Sequence, residues 1–226
     1  MNNNSFWDRL PIVTKSLLVI NFVCWLVDVI LKNRAGIMLS GVLGLNYIFS
    51  PSFHFWQPLT YMFMHANFEH IFFNMFAVLM FAPALEQQWG SRRFLLYYLV
   101  TGVGAAIVQE LVWFIFYGPS AAGAVTIGAS GAVFGILLAF GLLFPDTKLF
   151  IFFIPIPIRA RIFVIIYAVC ELFLGVASFS GDNVAHFAHL GGMLFGYLLI
   201  LLWRRKDKDK SDSGAGFGGW HYQDPV

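Results

Sequence analysis

Six apolar stretches, near residues 16–31, 60–82, 94–116, 127–144, 160–178 and 184–203, divide the chain. Each approaches the ~20 residues a helix needs to cross ~30 Å of hydrocarbon. The pattern predicts an all-α polytopic membrane protein, a single bundle of six transmembrane helices over residues 16–203. The first stretch is a retained span and not a cleavable leader: it lacks a small-residue cleavage site, and Asp28 follows its apolar centre. Between the first two stretches lies a long loop, residues 32–59, rich in Gly, Phe and Trp. Its Tyr47 and Trp56 suit the interface, where amphipathic rings settle, so the loop is expected to be membrane-associated in the outer leaflet. After Trp203 the chain turns to alternating Lys and Asp and then to a Gly-rich stretch, so 204–226 is expected to be a disordered tail.

Composition sharpens this picture. The chain is 59% hydrophobic and 12% charged, with a mean hydropathy of +0.73, which excludes an ordinary soluble domain. Cys24 and Cys170 lie in apolar runs and form no disulfide framework or redox pair. A formal charge of +2 is too small to imply a nucleic-acid partner. Where the cations fall is more telling. Six spans put both termini on one side, and every Lys and Arg except Lys32 and Arg34 falls on that side. The positive-inside rule makes both termini cytoplasmic, including the N-terminal segment 1–15.

Strongly polar side chains inside a span are costly, so each asks for a partner or a role. Three spans carry them near their heads: His65, His70 and Asn74 in the second, Ser130 in the fourth, His186 and His189 in the sixth. In a six-span topology these three helices all run from outside inward, which brings sequence-distant groups to similar depth. His70 and Asn74 are four residues apart and share a helix face, as do Ser130 and Phe134. Gly128, Gly131 and Gly135 on the fourth span, with Gly192 and Gly196 on the sixth, permit close backbone approach.

A serine hydroxyl needs a base before it becomes a good nucleophile, and a neutral imidazole within ~2.6–3.2 Å is the usual one. Ser130 and His189 are the candidates for nucleophile and base. His70, Asn74 and the Ser130 N–H are candidate donors to the oxyanion that builds during attack, where one lost donor costs ~10²–10³ in rate. Neither Asp nor Glu stands within a turn of His189, so a Ser-His dyad is expected, with Phe134 holding the imidazole by ring packing. The run is not the elbow of soluble hydrolases, because Ala132 stands where Gly-x-Ser-x-Gly requires glycine. Taken alone, Ser130 would read as a serine bonded back to its own helix. A metal or haem site at His65, His70, His186 and His189 would leave Ser130 and Asn74 unexplained. No His-Glu-x-x-His or Cys cluster supports it, so neither metal nor cofactor is expected. A transporter would place its polar groups at the midplane between paired broken helices, whereas these lie shallow.

Together the long first loop, His65, His70-x-x-x-Asn74, Gly128-x-Ser130-Gly131 and His189-x-x-Gly192-x-x-x-Gly196 resemble the rhomboid intramembrane serine proteases, over residues from about 10 to 203. The resemblance implies a rhomboid-like bundle in which Ser130 is the nucleophile and His189 its base. It implies an oxyanion hole of His70, Asn74 and the Ser130 backbone, with His65 structural or water-binding and Glu86 and Arg92 structural. The glycines three and seven residues after the family's base fit His189 and not His186. Two positions depart from the family's pattern: Gln57 stands where many relatives have Arg after Trp, and Phe134 replaces the tyrosine of some members. Asp28, Glu110 and Glu171 receive no role.

The expected substrates are transmembrane proteins in the lipid bilayer, single spans with small or helix-breaking residues near the outer end, because a helix hides its carbonyls until it is unwound. Likeness to the family implies lateral entry near spans two and five, with a movable cap around Ser178–Val184. If the source is bacterial, the membrane is the cytoplasmic one. A catalytically silent scaffold on the same fold is the alternative, and the presence of both Ser130 and His189 weighs against it.

Overall fold

The computed structural model describes residues 5–150, 157–177 and 186–212. A one-turn helix, α1 (Phe6–Arg9), precedes α2 (Ile12–Ala35), which ends at Gly36 in the left-handed conformation. The first four N–H groups of any helix lack intrahelical partners. At the head of α2 two of them, from Val13 and Thr14, donate to the Glu86 carboxylate at 2.9 and 2.7 Å.

The long first loop is built from short pieces: α3 (Ser40–Leu43), strand β1 (Leu45–Asn46), α4 (Gln57–Thr60) and a 3₁₀ turn over Tyr61–Phe63. Gln57, fully buried, holds them together. Its amide donates to the carbonyls of Val42 at 3.1 Å and Ser52 at 2.9 Å, and its Oε1 accepts from the Asn46 N–H at 3.1 Å. Gln57 thus anchors the loop through its side-chain amide.

The second long helix, α5 (Phe68–Trp89), begins later than the apolar pattern suggests, because residues 57–63 pack as separate turns and Asn67 caps the helix by accepting from the His70 N–H at 2.8 Å. After Gly90, α6 (Ser91–Val112) runs into a π-turn and a 3₁₀ segment ending at Gly123. Strand β2 (Val125–Thr126) then pairs antiparallel with β1, tying the first loop to the entrance of α7 (Ser130–Leu143).

Helix α7 packs against α5, α6, α8 and α9, and most of its side chains are buried. A hairpin of β3 (Lys148–Phe150) and β4 (Pro157–Arg159) leads to α8 (Ala160–Ala177), and α9 (His186–Asp212) closes the bundle. Helix α9 continues to Asp212, beyond the expected boundary at Trp203. Arg93 ties this extension down, donating to both Asp207 oxygens at 3.1 and 2.9 Å and lying over the Trp203 ring. The expected cap at 178–184 lies outside the described residues, as does the rest of the tail.

Small residues set the helix spacing. A Cβ at Gly192 would collide with the carbonyl of Gly131, so α7 and α9 cross backbone to backbone at that point. The Tyr97 hydroxyl donates to the Gly135 carbonyl at 2.8 Å, one turn further along. Outward, α2, α5, α6, α8 and α9 expose large apolar side chains such as Phe22, Phe73, Leu111, Val169 and Leu202. Among the described residues, four helices, α2, α5, the run from α6 to Gly123, and α9, are long and apolar enough to cross a membrane, and α7 is a shorter apolar helix.

Candidate active site

The site forms where the first turns of α5, α7 and α9 converge. Gly128 donates its N–H to the Tyr61 carbonyl at 2.9 Å, and the Tyr61 hydroxyl donates to the Gly102 carbonyl at 2.7 Å. These bonds fix the chain two residues ahead of Ser130. Gly128 has φ +127°, a conformation side chains resist, and a Cβ there would stand 2.6 Å from His70 Nε2. Ser130 opens α7, so its N–H is among those the helix itself leaves unpartnered.

His189, in the first turn of α9, brings Nε2 to 2.8 Å from the Ser130 hydroxyl oxygen. Phe134, one turn after Ser130, stacks on the imidazole with centroids 4.3 Å apart and planes 7° from parallel. On the other side of the ring, Nδ1 lies 2.9 Å from Glu171 Oε2, and the same oxygen lies 2.6 Å from His186 Nδ1. An oxygen receiving two ring N–H groups is acting as a carboxylate, which can only accept. With Glu171 ionised, both rings donate to it through Nδ1, and His189 Nε2 is then left to accept from the Ser130 hydroxyl.

His70 contributes its ring from α5. Its Nδ1 faces the Ala66 N–H at 3.5 Å, a long contact that leaves the proton on Nε2, beside Gly128. Asn74 is buried, and its amide donates one hydrogen to the His70 carbonyl at 2.8 Å, keeping a second. Behind His70, the His65 ring meets it edge to face at 5.0 Å, and neither His65 nitrogen has a hydrogen-bond partner.

Ser130, His189, Phe134, Gly128 and His70 are thus brought into one cluster. Asn74 supports it from the next turn of α5, Gly131 forms the helix crossing, and His65 stands one ring further back. Sequence reasoning left Glu171 without a role. The available signal was an acidic residue inside an apolar span, with no partner on its own helix. Asp28 and Glu110, also unassigned, accept backbone N–H groups from Leu39 at 2.8 Å and Ile48 at 2.9 Å.

The donor atoms of Glu171, His186 and His189 lie within 4.8 Å of one another, a set that could hold a metal ion. Their contacts of 2.6 and 2.9 Å are direct hydrogen bonds. Two ligands on a tetrahedral zinc would stand about 3.3 Å apart, given bonds of ~2.0–2.1 Å.

A helical bundle with a hydroxyl and an imidazole paired at the heads of two apolar helices defines a class, and the comparisons assign it. The chain belongs to the rhomboid family, the rhomboid domain model matching residues 52–206, and is an integral multi-pass membrane protein. Among its relatives, it is 29% identical to the rhomboid protein YdcA of Bacillus subtilis (strain 168) over 207 residues, 89% of this chain and 92% of that one. It is 31% identical to the chloroplastic Rhomboid-like protein 11 of Arabidopsis thaliana over 208 residues, 88% of this chain and 65% of the relative. Rhomboid protease GluP of Bacillus subtilis (strain 168) is 35% identical over 146 residues, 63% of this chain and 25% of GluP.

Proposed function

We propose that this protein is an intramembrane serine endopeptidase that hydrolyses peptide bonds in or near transmembrane segments. The observation that carries the reading is the 2.8 Å contact between Ser130 Oγ and His189 Nε2. Membership of a family whose relatives include a named protease supports it.

In this reading the Ser130 oxygen bonds to the substrate carbonyl carbon as its proton passes to His189 Nε2, and the carbonyl π pair moves to oxygen. The Ser130 N–H, His70 Nε2–H and the second Asn74 N–H are the donors that meet that charge. The intermediate then collapses, the C–N bond breaks, and the amine leaves with the proton from His189. Water, deprotonated by the same imidazole, hydrolyses the acyl-enzyme and restores Ser130.

In this reading the chain has six spans over 16–203, a membrane-associated first loop and both termini in the cytoplasm, and it sits in the cytoplasmic membrane if the source is bacterial. At ~1.5 Å per residue, the fourteen residues of α7 rise about 21 Å, short of the ~30 Å hydrocarbon layer. With Leu143 at the inner boundary, Ser130 then lies roughly 9 Å beneath the outer one. Substrates are single-span proteins that unwind near their outer end and enter between α5 and α8.

The test is cleavage of a membrane-embedded reporter together with covalent labelling by a fluorophosphonate, using protein in liposomes. Ser130→Ala and His189→Ala should each lower cleavage by at least ~10³-fold while the protein stays folded. His186→Ala should retain substantial activity. Cleavage or labelling that persists in Ser130→Ala overturns the assignment, and a wild type that neither cleaves nor labels favours the silent scaffold.

A further inference from the structure

We propose that Glu171 is the positioning residue for the His189 base: carried on α8, its carboxylate fixes the imidazole tautomer and balances the imidazolium that forms when Ser130 gives up its proton. The inference rests on the serine-protease reading above and replaces the expected dyad with a relay of three side chains on three helices.

Geometry argues for it first. Glu171 Oε2 is 2.9 Å from His189 Nδ1, and Nε2 of the same ring is 2.8 Å from Ser130 Oγ, so carboxylate, imidazole and hydroxyl stand in line. Glu171 is nearly buried, at 9% exposure. A carboxylate in an apolar helix persists only where donors compensate its desolvation, and two imidazole N–H groups do so here. One turn further along α8, a Cβ at Gly175 would stand 3.1 Å from the Phe187 ring and 3.3 Å from His186 Cβ. The bare glycine thus lets α8 lie close enough to α9 for the carboxylate to reach.

Chemistry argues the same way. When the proton arrives on Nε2, His189 becomes a cation inside the bundle. The titratable groups facing it among the described residues are Glu171 from α8, His186 from its own helix and His70 from α5. Of these, Glu171 alone can carry negative charge. Phe134 holds the plane of the ring but cannot choose between its nitrogens. Glu171 does both.

The experiment measures kcat, KM and the pH profile of cleavage in liposomes, with chelator present, for wild type, Glu171→Gln and Glu171→Asp. In soluble serine proteases, exchanging the orienting carboxylate for an amide costs ~10⁴ in kcat. With Phe134 still holding the ring, Glu171→Gln is expected to lower kcat by about 10–100-fold and leave KM within about twofold. Its acid limb should move to lower pH, because the imidazolium has lost its counter-charge. Glu171→Asp, which keeps the charge, should keep the acid limb at the wild-type pH even with a reduced kcat. Nitrogen NMR of labelled histidine in the wild type gives a reading that needs no variant: the His189 proton should reside on Nδ1. If Ser130-dependent cleavage is present in the wild type and Glu171→Gln matches it in kcat and acid limb, the positioning role is wrong and the protease reading stands. The same follows if the His189 proton is found on Nε2. If the wild type shows no Ser130-dependent cleavage or labelling, the protease reading itself fails.

Discussion

The two ends of α5 use polar groups in opposite ways. At its far end, Glu86 is buried with every contact made: it accepts from the N–H groups of Val13 and Thr14, from the Thr14 hydroxyl at 2.8 Å, and from the Ser91 hydroxyl at 2.6 Å. About 24 Å away along the helix, His70 and Asn74 hold donors in reserve, and neither His65 nitrogen has a hydrogen-bond partner. Satisfied polar groups in a buried setting lock structure, while unsatisfied ones are an unfavourable state that a ligand can relieve. On the proposed function, the first end is built for stability and the second for a charge that exists only during reaction.

Substitutions can separate these two roles. The largest expected effect is at Gly128, where alanine would need a strained φ and would press on His70. Gly128→Ala should lower kcat by about 10²-fold, a loss typical of misplacing catalytic groups by ~1 Å, with the thermal midpoint in detergent falling far less than in Glu86→Ala. Glu86→Ala should do the reverse. It strands four donors, so the unfolding free energy should fall by at least about 3 kcal/mol, while kcat per folded molecule, counted by fluorophosphonate labelling, stays near wild type. Equal losses of activity and stability in both variants would erase the distinction between the two ends.

Much of this arrangement is legible in the sequence. Apolar runs locate the long helices, because only the length and hydropathy of each run matter for that. The meeting of Ser130 with His189 follows from depth matching plus the glycines that let α7 and α9 touch. Three features escape such reasoning. The start of α5 depends on the Asn67 cap and on residues 57–63 folding as separate turns. The continuation of α9 to Asp212 is secured by Arg93, from a different helix. Glu171 meets His189 through the close approach of α8 and α9, a relation between two helices that spacing along either one does not encode.

The bond set around Glu86 also bears on how the molecule is assembled. Its donors come from the start of α2, from the residue that opens α6, and the acceptor from the end of α5. The head of α2 therefore stays open until α5 has been made and α6 has begun. Only then can three chain segments close over one carboxylate, a closure that needs nothing from α7, α8 or α9.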